Sequence, residues 1–116
     1  MNNVQLGAKG EEVALQFLLK RGYRILEKNF RLRMGEIDII ASKGGCIVFA
    51  EVKSRRSLSF GYPCEAVDIR KQRKILLVAK SYIHMKRLYD ADCRFDIIEV
   101  YINEKKVNHI EGAFCE

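Results

Sequence analysis

The sequence predicts an α/β domain: a central mixed sheet of four or five strands with helices on both faces. Three observations carry that prediction. Segments of helical and strand periodicity follow one another in the order α-β-β-β-α-β-(β) along 116 residues, a length that suits one domain spanning 1–116. The inner strand segments are apolar on both faces, as strands covered from both sides must be. The composition, 48% hydrophobic and 31% charged with one proline and eight glycines, excludes disordered, collagen-like and low-complexity chains. A domain of this size buries roughly two thirds of the surface its unfolded chain exposes, so a core forms without disulfide or metal staples.

Each element has its own local reason. Residues 8–21 (AKGEEVALQFLLKR) set Ala14, Leu15, Phe17 and Leu18 at helical spacing. Gly22 suits the left-handed position that ends a helix. Residues 23–32, rich in large and β-branched side chains, read as a strand of irregular alternation. Residues 36–42 (EIDIIAS) and 46–53 (CIVFAEVK) are two more strands, joined by the tight hairpin turn Lys43-Gly44-Gly45. Residues 54–63 carry turn formers and arginines without a period, and read as a loop. Residues 67–87 form the longest helix, with Asp68 as N-cap and Ile75, Val78, Ala79, Tyr82 and Ile83 on its core stripe. Residues 94–102 are a fourth strand, Glu104-Lys105-Lys106 turns the chain, and 107–110 pair back as a short fifth. Nothing repeats internally.

No apolar run approaches the ~20 residues of a membrane-spanning helix, and the first residues lack the basic and apolar regions of a secretory signal. The expectation is a cytoplasmic protein with no membrane partner. Cys46, Cys64, Cys93 and Cys115 form no C-x-x-C pair, and most are expected to be buried or half-buried free thiols rather than zinc ligands or a redox pair. Lys plus Arg number 21 against 15 acidic residues, a net charge of +6, which points to a polyanion and first to nucleic acid. Arg70, Lys71, Arg73 and Lys74 crowd the first turns of the long helix, where phosphates bind well, and Arg55 and Arg56 extend the same track. For any one of these residues a solvated helix face is the competing reading. Phe60, Tyr62 and Tyr89 could stack on bases, but core packing is the stronger expectation for aromatics in so small a protein. His84 and His109 have no neighbour at metal-ligand spacing.

A hairpin centred on Gly44-Gly45 sets Asp38 opposite Glu51 and Glu36 opposite Lys53. Directly opposed residues have Cβ atoms roughly 4.5–5.5 Å apart, and like charges so placed are destabilising. Alternation puts Asp38, Glu51 and Lys53 on one face with Ile40, Ile47 and Phe49, leaving Ile37, Ile39, Val48, Ala50 and Val52 for the other. Two carboxylates at the end of an apolar hairpin call for compensation. A divalent cation supplies it, leaving room for water and phosphate. Plain ion pairs, Glu36 with Lys53 and Asp38 with an arginine, supply it too, and spacing alone does not choose between them.

Asp38 followed by Glu51-Val52-Lys53 resembles the D-x(n)-E-x-K core of the PD-(D/E)XK nuclease superfamily. More specific is the series Gly10-Glu11, Gly22-Tyr23, Asn29-Phe30-Arg31, Gly35-Glu36-Ile37-Asp38, Phe49-Ala50-Glu51-Val52-Lys53, Phe60-Gly61 and Cys93-Arg94-Phe95-Asp96. It resembles the YraN family of bacterial proteins, from about Leu6 to Val100, a family placed near the archaeal Holliday-junction resolvases. The resemblance implies a restriction-endonuclease-like fold. It matches Asp38 and Glu51 to metal-binding carboxylates joined by the backbone carbonyl of Val52, Lys53 to the catalytic lysine, and Glu11 to the first-helix glutamate of the resolvases. The proline of the superfamily name is absent, Ile37 standing before Asp38.

The function so implied is metal-dependent hydrolysis of phosphodiester bonds in DNA, with branched or otherwise structured DNA as candidate substrates. Glu11, Asp38 and Glu51 are expected to hold Mg²⁺ or Mn²⁺ directly or through water, with Lys53 orienting the attacking water or neutralising charge. Superfamily resolvases cut two strands as dimers, so a homodimer is compatible. Asp96 is placed to support the site, or to pair with Arg94 or Arg31. The alternatives are a nucleic-acid-binding accessory protein that does not cut and, further off, an interaction domain that binds no nucleic acid. Clustered carboxylates favour the enzyme, because backbone binding alone needs only cations.

Overall fold

The computed structural model describes residues 1–57 and 67–114. Along the chain they form α1 (Asn3–Lys20), β1 (Arg24–Leu32), β2 (Gly35–Lys43), β3 (Cys46–Arg55), α2 (Ile69–Lys86), β4 (Asp92–Tyr101) and β5 (Lys106–Phe114). The strands make one sheet in the order β1-β2-β3-β4-β5, with β3 and β4 parallel and the other neighbours antiparallel. A parallel pair needs a crossover, and α2 supplies it. Mixed sheet, element order and flanking helices agree with the predicted restriction-endonuclease-like architecture.

The sheet is a wall between two cores. On one side α2 lays Ile75, Val78, Ala79 and Tyr82 over Ile40, Phe49, Phe95 and Ile97. The Tyr82 ring stands edge-on to Phe30 and Phe49, and Phe49 stacks on Phe95 at 5.4 Å. On the other side α1 sets Ala14 and Leu18 against Ile39, Ala41, Val48, Ala50, Ile98 and Val100. Gly44 and Gly45 both take positive φ, 57° and 80°, the two-residue turn that best matches the twist of a hairpin. No helix among the described residues is long and apolar enough to cross a membrane.

Several expectations need correction. The first helix begins at Asn3, not at residue 8, because Asn2 and Gln5 form a reciprocal capping box that the apolar stripe, starting later, does not show. The fifth strand runs to Phe114. Its ladder with β4 is irregular between Phe95 and Ile97, and Gly112 takes a left-handed φ of 59°, so no alternation survives there to be read. Ile37 belongs with Ile40 in the core under α2, whereas Ile39 faces α1, so strict alternation fails across Asp38. Cys46 is half-buried and Cys93 exposed, while Cys64, Cys115, Phe60 and Tyr62 lie outside the described residues. Tyr89 is 62% exposed rather than packed, its hydroxyl 2.7 Å from His84 Nδ1.

Candidate functional site

The ladder between β2 and β3 runs from Lys43 opposite Cys46 to Ile39 opposite Ala50, the register that the glycine turn predicts. Beyond it the Asp38 side chain takes over: Oδ2 accepts the backbone N–H of Val52 at 2.8 Å. Val52 thus meets the site through its amide. The exchange leaves Asp38 beside Glu51 where the ladder ends.

Glu51 is only 7% exposed and faces α2. Its Oε1 lies 3.5 Å from Lys71 Nζ, while Oε2 is buried with no hydrogen-bond partner among the described residues. Burial pushes the Glu51 carboxyl up to about 7; the charge of Asp38 adds to the rise, and Lys71 and Lys53 offset part of it. Asp38 is raised as well, by burial first and by Glu36, against the Val52 amide and the same two lysines. The folded protein therefore holds two adjacent carboxyls that resist ionising together.

Glu11 arrives from α1. Its neighbour Gly10 lies on β3 so closely that a Cβ there would collide with Ser54 Oγ and stand 2.7 Å from Ser54 Cβ. Only glycine permits that approach, which brings Glu11 to a small cleft shared with Asn29 and Asp38. Burial and the charge of Asp38 raise the Glu11 carboxyl, and Asn29 lowers it. Among the described residues no three His, Cys, Asp or Glu side chains converge into a metal cage. Asp38 and Glu51 suit instead a hard cation that takes one or two carboxylates and completes its shell with water and phosphate. The unpartnered Glu51 Oε2 is the atom such a cation would satisfy.

The basic residues divide. Lys71 reaches Glu51, and Lys74 joins it in lining a cleft under the β1–β2 turn; Arg70 and Arg73 are exposed. Arg56 leaves the predicted track, donating to Met1 O at 3.0 Å and to Asn3 Oδ1 at 3.2 Å, so it ties β3 to the start of α1. Arg55 is half-buried, and its carbonyl accepts the Ile102 amide at 3.0 Å. Glu36 pairs with Arg31 at 2.9 Å, its register partner on β1, rather than with Lys53. Lys53 is half-buried, near enough to both carboxylates to favour their charged forms. Asp96 does not reach the site. It is fully buried and takes Arg94 through two bonds, His109 Nε2 at 2.7 Å and the Gly112 amide at 3.0 Å. Burial pushes the Asp96 carboxyl up, but these donors together hold it below its ordinary value. Sequence reasoning missed Arg31 and Arg33, which only the fold of β1 onto α2 brings to Lys71 and Lys74.

The family model described as Uncharacterised protein family UPF0102 matches residues 10–100, a stretch that includes every side chain of this site. The chain belongs to the UPF0102 family. That family is the YraN resemblance carried by the motif series. A UPF0102 protein of Clostridioides difficile (strain 630) is 54% identical over 114 residues, covering 98% of this chain and 100% of the relative. One from Caldicellulosiruptor saccharolyticus is 49% identical over 118 residues, 98% of this chain and 100% of the relative. A third, from Clostridium perfringens (strain 13 / Type A), is 50% identical over 116 residues, 97% of this chain and 95% of the relative. The names of these relatives state the family alone.

Proposed function

We propose that this UPF0102 chain is a metal-dependent endonuclease of the PD-(D/E)XK type, hydrolysing phosphodiester bonds in DNA, with branched or otherwise structured DNA among its substrates. The observation that carries the proposal is Glu51: a buried carboxylate beside Asp38, with one oxygen on Lys71 and the other on nothing described. A purely structural ion pair is expected to satisfy both oxygens, because a buried polar atom left unpaired costs about 1–3 kcal/mol or more.

In this proposal Asp38 and Glu51 hold Mg²⁺ or Mn²⁺, which when bound supplies a Lewis acid for the phosphate and lowers the pKa of a water. Lys53, next but one to Glu51, orients the attacking water or neutralises charge building on the scissile phosphate. Lys71 keeps Glu51 in place and adds a second positive charge beside the same phosphate. Glu11, which lines a small cleft with Asp38, would help hold the cation directly or through water. The same reading has the protein act in the cytoplasm and, where two strands are cut, as a pair of copies.

The specific observation on the other side is the Lys71–Glu51 pair itself, which answers part of the Glu51 charge and suits a non-cutting accessory protein that binds DNA. Cleavage of single-stranded, duplex and branched DNA, in Mg²⁺, Mn²⁺ and EDTA, separates the two. Cutting that requires metal and disappears in Asp38→Asn, Glu51→Gln and Lys53→Ala is the expected result. DNA binding without cutting under every condition would leave the accessory protein.

A further inference from the structure

The turn between β1 and β2 leans on the first turns of α2 and borders an open cleft of about 410 Å³. Arg31, Arg33, Lys71 and Lys74 bring cations to its walls, and Glu36 brings a carboxylate that Arg31 holds at 2.9 Å. Two segments distant in sequence meet there because of Gly35. A Cβ at Gly35 would stand 3.3 Å from Lys74 Cβ and 3.4 Å from Val78 Cγ2, so glycine lets the turn seat on the helix without pushing Lys74 aside. Lys71 belongs to the cleft and to the site at once, its Nζ being 3.5 Å from Glu51 Oε1. Met34 also lines the cleft, an apolar side chain left 42% exposed among charges.

We infer that this cleft seats one strand of DNA, the phosphates beside the scissile one lying on Arg33, Lys71 and Lys74 while a base packs on Met34. The inference rests on the nuclease proposal only for what happens next to Glu51. Like charges gathered in one cleft repel each other, and a chain of phosphates relieves that repulsion. The volume suits one small-molecule-sized unit, in the range of roughly 300–1,000 Å³ for ligand pockets. A base-paired strand keeps its bases stacked inside the duplex, so only an unpaired strand can set a base on Met34 while its phosphates lie on the cations. An exposed apolar side chain among cations matches proteins that part stacked bases with an apolar wedge. A strand must therefore leave its duplex before it reaches Glu51, and DNA carrying a single-stranded stretch is preferred over blunt duplex.

The test is fluorescence anisotropy in EDTA, where cleavage plays no part. The probes are a labelled single strand, its blunt duplex, and the same duplex with a single-stranded tail. Single and tailed strands are expected to bind at least about tenfold tighter than the blunt duplex. For Arg33→Ala with Lys74→Ala, both exposed, the slope of log K against log salt should become shallower by about 1.4, at ~0.7 per phosphate contact on single strands. Arg33→Glu, a second variant at an exposed position, should weaken single-strand binding further, and Met34→Ala should narrow the preference for the tail. Equal affinity for blunt duplex and single strand, or a slope unchanged in the double variant, would overturn the inference. Selective single-strand binding without cutting in metal would uphold the cleft and defeat the nuclease. Cutting indifferent to Arg33 and Lys74 would do the reverse.

Discussion

Burial raises the Glu51 carboxyl and the neighbouring Asp38 raises it further, so the folded protein keeps that proton up to about 7, above the ordinary 4.5. The sign of the pH dependence follows. Between those values the folded state binds more protons than the unfolded one, so this stability is present at low pH and lost as pH rises towards 7. Asp38 shifts in the same direction. Asp96 shifts the opposite way, so its contribution is lost only on acidification below the ordinary carboxylate range, outside the same window. In EDTA, stability to urea should fall from pH 5 to pH 8 by up to about 3 kcal/mol, at ~1.4 kcal/mol per pKa unit. Glu51→Gln should remove most of that fall, which unfolding curves at the two pH values would check. The amide leaves Lys71 without its carboxylate partner, but that side chain is 39% exposed and keeps its water, so no buried cation is stranded. At this scale Asp38, Glu51 and Lys53 were legible because they are close in sequence and share a hairpin. Arg31 and Arg33 were not, since their meeting with Lys71 and Lys74 is tertiary. Arg56 misled because a surface arginine after a strand carries no local sign of turning back to Met1.

Two contacts between elements decide where the site sits. Gly10 lets α1 lie on β3 at Ser54, and Gly10→Ala should cost about 1–3 kcal/mol, as other forced insertions into packed contacts do. Ser54→Gly removes both atoms that the new Cβ meets, so it should recover part of the loss in a double-mutant cycle; additive effects would contradict the close approach. The second contact holds β5. Asp96 gathers Arg94, His109 and Gly112 where the β4–β5 ladder is irregular. Asp96→Ala should cost about 3–5 kcal/mol, as breaking a buried charge pair does, measured by urea unfolding, with DNA binding at the distant cleft unchanged. Helix stripes and the inner strands were legible from periodicity, and the range 67–87 came within two residues of the ends of α2, although α1 proves as long, at 18 residues. The start of α1 and the far half of β5 were not, because a capping box on an exposed turn and a bulged edge strand leave no apolar period.

The molecule as a whole puts its carboxylates where β2 and β3 stop pairing, between a core under α1 and a core under α2. The glycine turn made the register legible. It did not show that Asp38 would leave strict alternation to cap the Val52 amide, since that depends on where the ladder ends and on which core claims Ile37 and Ile39. If the pair holds a cation, folding and metal binding are linked, because a ligand taken up only by the folded state stabilises it by mass action, about 2.7 kcal/mol at a hundred times Kd. The decisive measurement is the urea midpoint of wild type and Glu51→Gln at pH 8, each in EDTA and in excess Mg²⁺. Wild type should gain stability with Mg²⁺, and Glu51→Gln should match or exceed wild type in EDTA while gaining nothing from the metal. A wild type indifferent to Mg²⁺, beside a variant several kcal/mol weaker in EDTA as a broken structural pair would be, would contradict a metal site at Asp38 and Glu51.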